Sequence, residues 1–121
     1  MKKFIIASIA STLTFGFAIN AHAADNAMST SDILTYCKGE GASFVTCEIY
    51  GQAVYDTYVV YSQHKKGPKF ICVKQPAPTR KEVIQEYVKW ADANPAYANQ
   101  PAADTILRFL GGRFPCAKPT K

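Results

Sequence analysis

Between residues 79 and 116 two amphipathic patterns follow one another. In the first, Val83, Ile84, Tyr87, Val88 and Ala91 fall on one helical stripe, while Lys81, Gln85, Glu86, Lys89 and Asp92 fall largely off it. Thr79-Arg80-Lys81-Glu82 stands at its start as a capping box: the threonine hydroxyl accepts a free backbone N–H and the glutamate reaches back. Asn94-Pro95 stops the helix, because proline lacks the N–H and clashes with the preceding turn. The second pattern begins near Pro101, which suits a first helical turn, and sets Ala103, Ile106, Leu107 and Leu110 on one side. Gly111-Gly112 is expected to end it, and Phe114-Pro115-Cys116 then returns a thiol towards Cys72. The stretch reads as a helical hairpin stapled at its base.

Earlier in the chain the pattern predicts two more helices. Ala24 to Ser31 is small and polar, an expected mobile arm, and a short helix runs from Asp32 through Cys37 with Ser31 as its N-cap. Lys38-Gly39-Glu40-Gly41 is a turn. From Ser43 to about Gln63 runs the longest helical pattern, with Phe44, Cys47, Val54, Tyr55, Tyr58 and Tyr61 on its apolar face. Val59-Val60-Tyr61 also has strand character, but the pattern as a whole favours helix. Gly51 in mid-helix costs about 1 kcal/mol relative to alanine, which predicts the close approach of another backbone. His64 to Pro78 is a connecting loop in which Phe70-Ile71-Cys72-Val73 is apolar enough to press on the core. The tail Lys118-Pro119-Thr120-Lys121 is expected to fray. The fold class is all-α: a small bundle of about four helices.

The first 23 residues change the setting. Lys2 and Lys3, the apolar run Phe4 to Ile19 and the small-residue site Ala21-His22-Ala23 form a signal peptide, so residues 1–23 are read as leader and 24–121 as one exported domain. No later stretch is long and apolar enough to span a bilayer, so no membrane partner is expected after cleavage. Losing Lys2 and Lys3 leaves 12 of the 14 basic residues against 9 acidic ones, a net charge of +3. That charge, with export to the periplasm, argues against nucleic acid as a partner.

All four cysteines lie beyond the leader. An even count in a small exported protein implies disulfides, and of the three possible pairings Cys37–Cys47 with Cys72–Cys116 closes one local unit each. Their spacings match no zinc pattern and no C-x-x-C is present, so neither metal nor redox chemistry is expected. His64 is the sole histidine after the leader and lies in a lysine-rich loop with no free thiol close by in sequence. Glu82 and Glu86 sit one turn apart, yet capping and a solvated face explain them; Asp56 and Asp92 are isolated. Phosphate loops and the H-E-x-x-H and G-x-S-x-G motifs are missing. No catalytic residue and no cofactor is assigned. What the sequence has in surplus is aromatic: seven tyrosines and Trp90, side chains that fill cores and also anchor interfaces. Tyr55, Tyr58 and Tyr87 read as core; Trp90, off the main stripe, either covers the hairpin or meets a partner.

Four features in order resemble the Rap/Tai family of immunity proteins. They are Leu34-Thr35-Tyr36-Cys37 after a short first helix, Cys47-Glu48-Ile49-Tyr50-Gly51 in the long helix, and Phe70-Ile71-Cys72 with Pro78-Thr79 before a capped helix. Asn94-Pro95, a short Pro/Ala-led helix and Phe114-Pro115-Cys116 complete them. The run Cys47 to Ala53 departs from the family's Tyr-Ile-x-Gly stretch, and Asp56 supplies its following acidic residue a little later. The resemblance implies an all-α periplasmic binder, frequently a homodimer, that obstructs the cleft of a cognate peptidoglycan amidase delivered by type VI secretion. It carries over no contact residues. On physical grounds the polar loop His64, Lys65, Lys66, Gly67, Pro68, Lys69 is the first candidate for partner binding, and Trp90 and the loop holding Tyr97 are further candidates. The other readings are a periplasmic acid-stress chaperone, also small, helical and disulfide-bonded, and an inhibitor of a different enzyme such as a lysozyme.

Overall fold

A computed structural model of the protein describes residues 27–64 and 69–117. The expected leader 1–23, the loop residues 65–68 and the expected frayed tail from Lys118 lie outside the described residues. The described chain folds as α1 (Thr30–Cys37), α2 (Ala42–His64), α3 (Arg80–Asp92), a 3-10 turn (Pro95–Tyr97) and α4 (Ala102–Arg113). No strand occurs among the described residues, and the disulfides are Cys37–Cys47 and Cys72–Cys116. The expected all-α class and the expected pairing both hold.

The N-terminal arm is shorter than its composition implied. Helix α1 starts two residues before Asp32, because Ser29, not Ser31, is the N-cap. The Ser29 hydroxyl accepts from the Asp32 N–H at 3.2 Å, and the Asp32 carboxylate accepts from the Ser29 N–H at 3.2 Å. Backbone bonds then tie the entry to the far end of the chain: the Thr30 N–H donates to Gln100 O and the Ala102 N–H to Met28 O. Thr30 is 1% exposed and Ile33 is completely buried. Residues 28–31 are therefore docked, which local polarity could not reveal.

Along α2 the buried positions are Cys47, Tyr58 and Ser62, with Phe44, Val54 and Tyr55 half-buried. Tyr61, expected on the apolar face, is 63% exposed. The buried stripe advances from Tyr58 to Ser62 by four residues and leaves Tyr61 at its edge, about 60° from Tyr58 on the side away from Ser62. Ser62 tolerates burial because its hydroxyl donates to Val59 O at 2.9 Å. The stretch Val59 to Tyr61 stays helical. The return segment packs on this end of α2: the Tyr58 hydroxyl accepts from the N–H groups of Phe70 and Ile71, each at 3.0 Å, and the Phe70 ring meets Tyr58 edge-on at 4.7 Å. Gly51 departs from expectation. Among the described residues nothing outside its own helix lies within 4 Å of where its Cβ would be, so no second backbone among them approaches it. It faces a cleft between α2 and the α3–α4 pair.

Helix α3 has the predicted box, with the Thr79 N–H donating to Glu82 at 2.7 Å and the Glu82 N–H to the Thr79 hydroxyl at 3.2 Å. Ile84, Tyr87 and Ala91 are buried on the predicted stripe. Helix α4 corrects two expectations. Pro101 is the N-cap and lies before the first turn, and the helix runs through Gly111 and Gly112 to Arg113. Gly111 serves close packing and not termination: a Cβ there would lie 3.0 Å from the Phe70 ring. The extra turn is held by Arg113, whose Nε donates to Glu86 on α3 at 2.6 Å, and by the Phe114 N–H donating to Leu110 O.

One polar knot crosses the core. Thr105, completely buried, lies 2.8 Å from the Thr30 hydroxyl and 2.9 Å from that of Tyr87, joining α4 to α1 and α3. Burial pushes the Tyr87 phenol above its usual pKa, so the hydroxyl stays protonated and keeps its partner. Thr105→Val keeps the shape and removes the bridge. Leaving a buried hydroxyl without its partner costs about 1–3 kcal/mol, whereas Thr105→Val combined with Tyr87→Phe recovers part of that loss. A double-mutant cycle in urea tests this; a double variant with the two losses simply added would show that the pair is not coupled.

Three carboxylates respond to the same local geometry. Hydrogen bonds from Ser29 hold Asp32 below its ordinary pKa, those from Thr79 do so for Glu82, and the Arg113 guanidinium does so for Glu86. Because each folded pKa is lower than the unfolded one, the stability they contribute is present above about pH 4.5 and is lost as pH falls through the folded values. All three sites are solvated, so the loss is gradual. Melting temperature should fall smoothly from pH 5 to pH 2 with helical content retained. A cooperative collapse near pH 4, with apolar dye binding, would instead fit the acid-stress chaperone reading.

Candidate functional site

The 3-10 turn after α3 brings two of the sequence candidates together. Asn94 ends α3 by donating its side-chain amide to Trp90 O at 2.7 Å, and Pro95 fixes the backbone of the following turn. This folds Tyr97 back onto Trp90, with ring centroids 5.4 Å apart and planes 18° from parallel. Trp90 also stacks on Tyr87 at 6.2 Å and meets Phe109 at 5.9 Å. The result is a ladder from the buried Tyr87 through the half-buried Trp90 to the half-buried Tyr97. Trp90 thus both covers the hairpin and contributes to its surface.

Arg108 caps the ladder. Its guanidinium lies 5.2 Å from the centroid of the Tyr97 ring, and Nη2 donates to Asp104 Oδ2 at 3.4 Å one helical turn away. Both Arg108 and Asp104 are exposed. A guanidinium spread over an aromatic face keeps donor edges free for a carboxylate while its own conformational freedom is already reduced. Trp, Tyr and Arg are the side chains that most often dominate protein interfaces, since they combine large apolar area with a polar edge. Arg108 escaped the sequence reading because Tyr97 and Arg108 are eleven residues apart; the available signal was its position four residues after Asp104 on the polar side of α4.

The remaining candidates lie elsewhere. His64 ends α2 and Lys69 opens the return segment, both exposed; Lys65 and Lys66 lie outside the described residues. No hydrogen bond, ion pair or ring contact among the described residues joins His64 or Lys69 to Trp90 or Tyr97. The carboxylates weighed as acid–base groups are engaged structurally: Glu82 in its cap, Glu86 with Arg113, Asp92 with Lys38 at 2.7 Å, and Asp56 with the Gln52 amide at 2.7 Å. Among the described residues no three His, Cys, Asp or Glu side chains gather to hold a metal ion.

Comparison with curated proteins and with solved structures finds no match. A family model described as Rap1a immunity proteins matches residues 29–116. That span runs from the N-cap of α1 to the last disulfide cysteine, taking in all four helices, both disulfides and the Trp90–Tyr97–Arg108 ladder. The chain therefore belongs to the Rap1a immunity protein family.

Proposed function

We propose that this protein binds and blocks a cognate peptidoglycan amidase delivered by type VI secretion, protecting the periplasm of the cell that makes it. Immunity by binding a secreted effector is what family membership supports, and the match over residues 29–116 is the observation that carries the reading. Amidase as the target follows from the resemblance of the cysteine-bearing segments. Export rests on the positive, apolar and small-residue pattern of residues 1–23. The protein acts by occlusion and needs no cofactor. It works as a monomer or a homodimer without change to this mechanism.

The contact surface we assign to the effector is the ladder of Trp90, Tyr97 and Arg108. Its aromatic faces offer apolar area at low entropic cost, and Arg108 offers a forked donor to a carboxylate. The basic loop His64 to Lys69 is a second contact, suited to acidic groups around an enzyme cleft. The test is protection in cells. The secreted protein encoded beside this gene is targeted to the periplasm of a sensitive strain that expresses this chain with or without residues 1–23. Survival with the leader and lysis without it is the expected result. Lysis in both strains, with this protein shown to be present and oxidised in the periplasm, would overturn the reading.

A further inference from the structure

Tyr97 lies in a turn that cannot hold its own shape. The 3-10 turn Pro95–Tyr97 has three residues, too few for a stable helix by itself, and residues 98–101 alone separate it from α4. On its N-terminal side the Asn94 amide fixes it to Trp90 O at 2.7 Å. On the other side the fastening comes from the entry to α1. The Ser31 N–H donates to Ala98 O, the Thr30 N–H to Gln100 O and the Ala102 N–H to Met28 O, at 2.9, 2.9 and 2.8 Å. Gln100 passes the constraint back, since its own N–H donates to Tyr97 O at 2.9 Å.

Thr30 holds this loop through its side chain as well. Its hydroxyl donates to Gln100 O at 2.9 Å, because a carbonyl can only accept. A hydroxyl has one hydrogen, so at the 2.8 Å contact between them Thr30 accepts and Thr105 donates. Ala102 O is a more distant acceptor for Thr105, at 3.1 Å. Thr105 in turn accepts from the Tyr87 phenol at 2.9 Å. The hydroxyls thus form a chain with one direction, from Tyr87 through Thr105 and Thr30 to Gln100 O. Both ends belong to the aromatic ladder. Tyr87 is the inner rung against Trp90, and Gln100 holds the backbone of Tyr97, the outer rung. Buried hydrogen bonds in such a chain strengthen one another.

We infer that Thr30 is a positioning residue for effector binding: through Thr105 and Gln100 it sets Tyr97 between Trp90 and Arg108 before the effector arrives. This rests on the proposed function. Thr30 is 1% exposed, so it acts through the ladder and not by touching the effector. Two contact side chains ordered in advance lose little freedom at the moment of binding, a difference of about tenfold in affinity.

Trp90 is the sole tryptophan, so its fluorescence reports the ladder directly. Thr30→Val removes the hydroxyl and keeps the shape, whereas Thr30→Ser keeps the hydroxyl and loses a methyl group. Both should lower Tm by a few degrees, since each disturbs a buried site. Only the valine variant should leave Trp90 more open to quenching by acrylamide. Only that variant should bind the secreted protein encoded beside the gene about tenfold more weakly in a calorimetric titration. The serine variant should match the natural protein in both respects. If Thr30→Val does not fold, Thr105→Val, which breaks the chain one hydroxyl further in, is read in the same two ways. Natural quenching or natural affinity in the folded valine variant would overturn this inference and leave the proposed function standing. So would equal losses in the valine and serine variants, which would give Thr30 a structural role only. Absence of any complex with the natural protein would overturn both readings together.

Discussion

Replacing Cys72 and Cys116 together with serine should lower the free energy of unfolding by about 4 kcal/mol, the chain-entropy value for closing so long a loop. The bridge spans 44 residues and closes around α3 and α4. Its neighbourhood shows what else is held in place. The Cys72 N–H donates to Phe114 O at 2.8 Å, Ile71 pairs with Pro115 across a short antiparallel bridge, and Phe70 lies over Tyr58 and Gly111. The covalent link therefore fastens the return segment to the end of α4, where it covers part of the core. Removing Cys37–Cys47, which spans 10 residues, should cost less, about 3 kcal/mol. Urea denaturation of the two double-serine variants at pH 7 measures both. A loss under about 1 kcal/mol for the long bridge would mean that the noncovalent contacts at Ile71 and Phe114 already constrain the unfolded chain.

Tyr97→Ala and Arg108→Ala should each weaken effector binding by about 30-fold or more, the scale of an interface hot spot. Tyr97 presents one ring face to Trp90 and carries the Arg108 guanidinium at 5.2 Å, so either substitution dismantles the outer half of the ladder. Neither residue is part of the buried core, and Tm should move by only a few degrees. That contrast separates a binding role from a structural one. Trp90→Ala is less informative, because Trp90 also packs on Tyr87 and Phe109 and its loss would loosen the hairpin. Arg108→Lys is the sharper control: lysine keeps the charge and loses the planar fork, so it should recover little of the affinity. Binding unchanged in Tyr97→Ala and Arg108→Ala would move the contact surface to the basic loop at His64 to Lys69.

Much of the fold is legible in the sequence because its signals are local. Thr79 and Glu82 announce the start of α3 three residues apart, and the stripe from Val83 to Ala91 has a single helical period. The cysteine pairing follows from each bridge closing its own unit. The misreadings share one cause, which is that tertiary contacts decide them. Ser29 caps α1 in a segment whose docking depends on Gln100 and Ala102, some 70 residues away. Gly111 looks like a terminator until Phe70 is seen against it. Tyr61 and Ser62 exchange roles because an aromatic ring at the edge of a stripe can stay in solvent, while a serine can satisfy its hydroxyl within its own helix. Gly51 signals close approach in most helices; here it opens a cleft, and no sequence pattern distinguishes the two. Of the ladder, Trp90 and Tyr97 are legible as aromatics near a turn. Their stacking and the arrival of Arg108 depend on how α4 packs against α3.

The most direct measurement is complex formation between the mature oxidised protein and the secreted protein encoded beside its gene, by size-exclusion chromatography followed by a peptidoglycan hydrolysis assay on the isolated complex. One stable complex in which hydrolysis is abolished is expected, with activity returning when Tyr97→Ala or Arg108→Ala weakens the contact. Two separate peaks and undiminished hydrolysis, with the neighbour shown to be an active amidase, would contradict it.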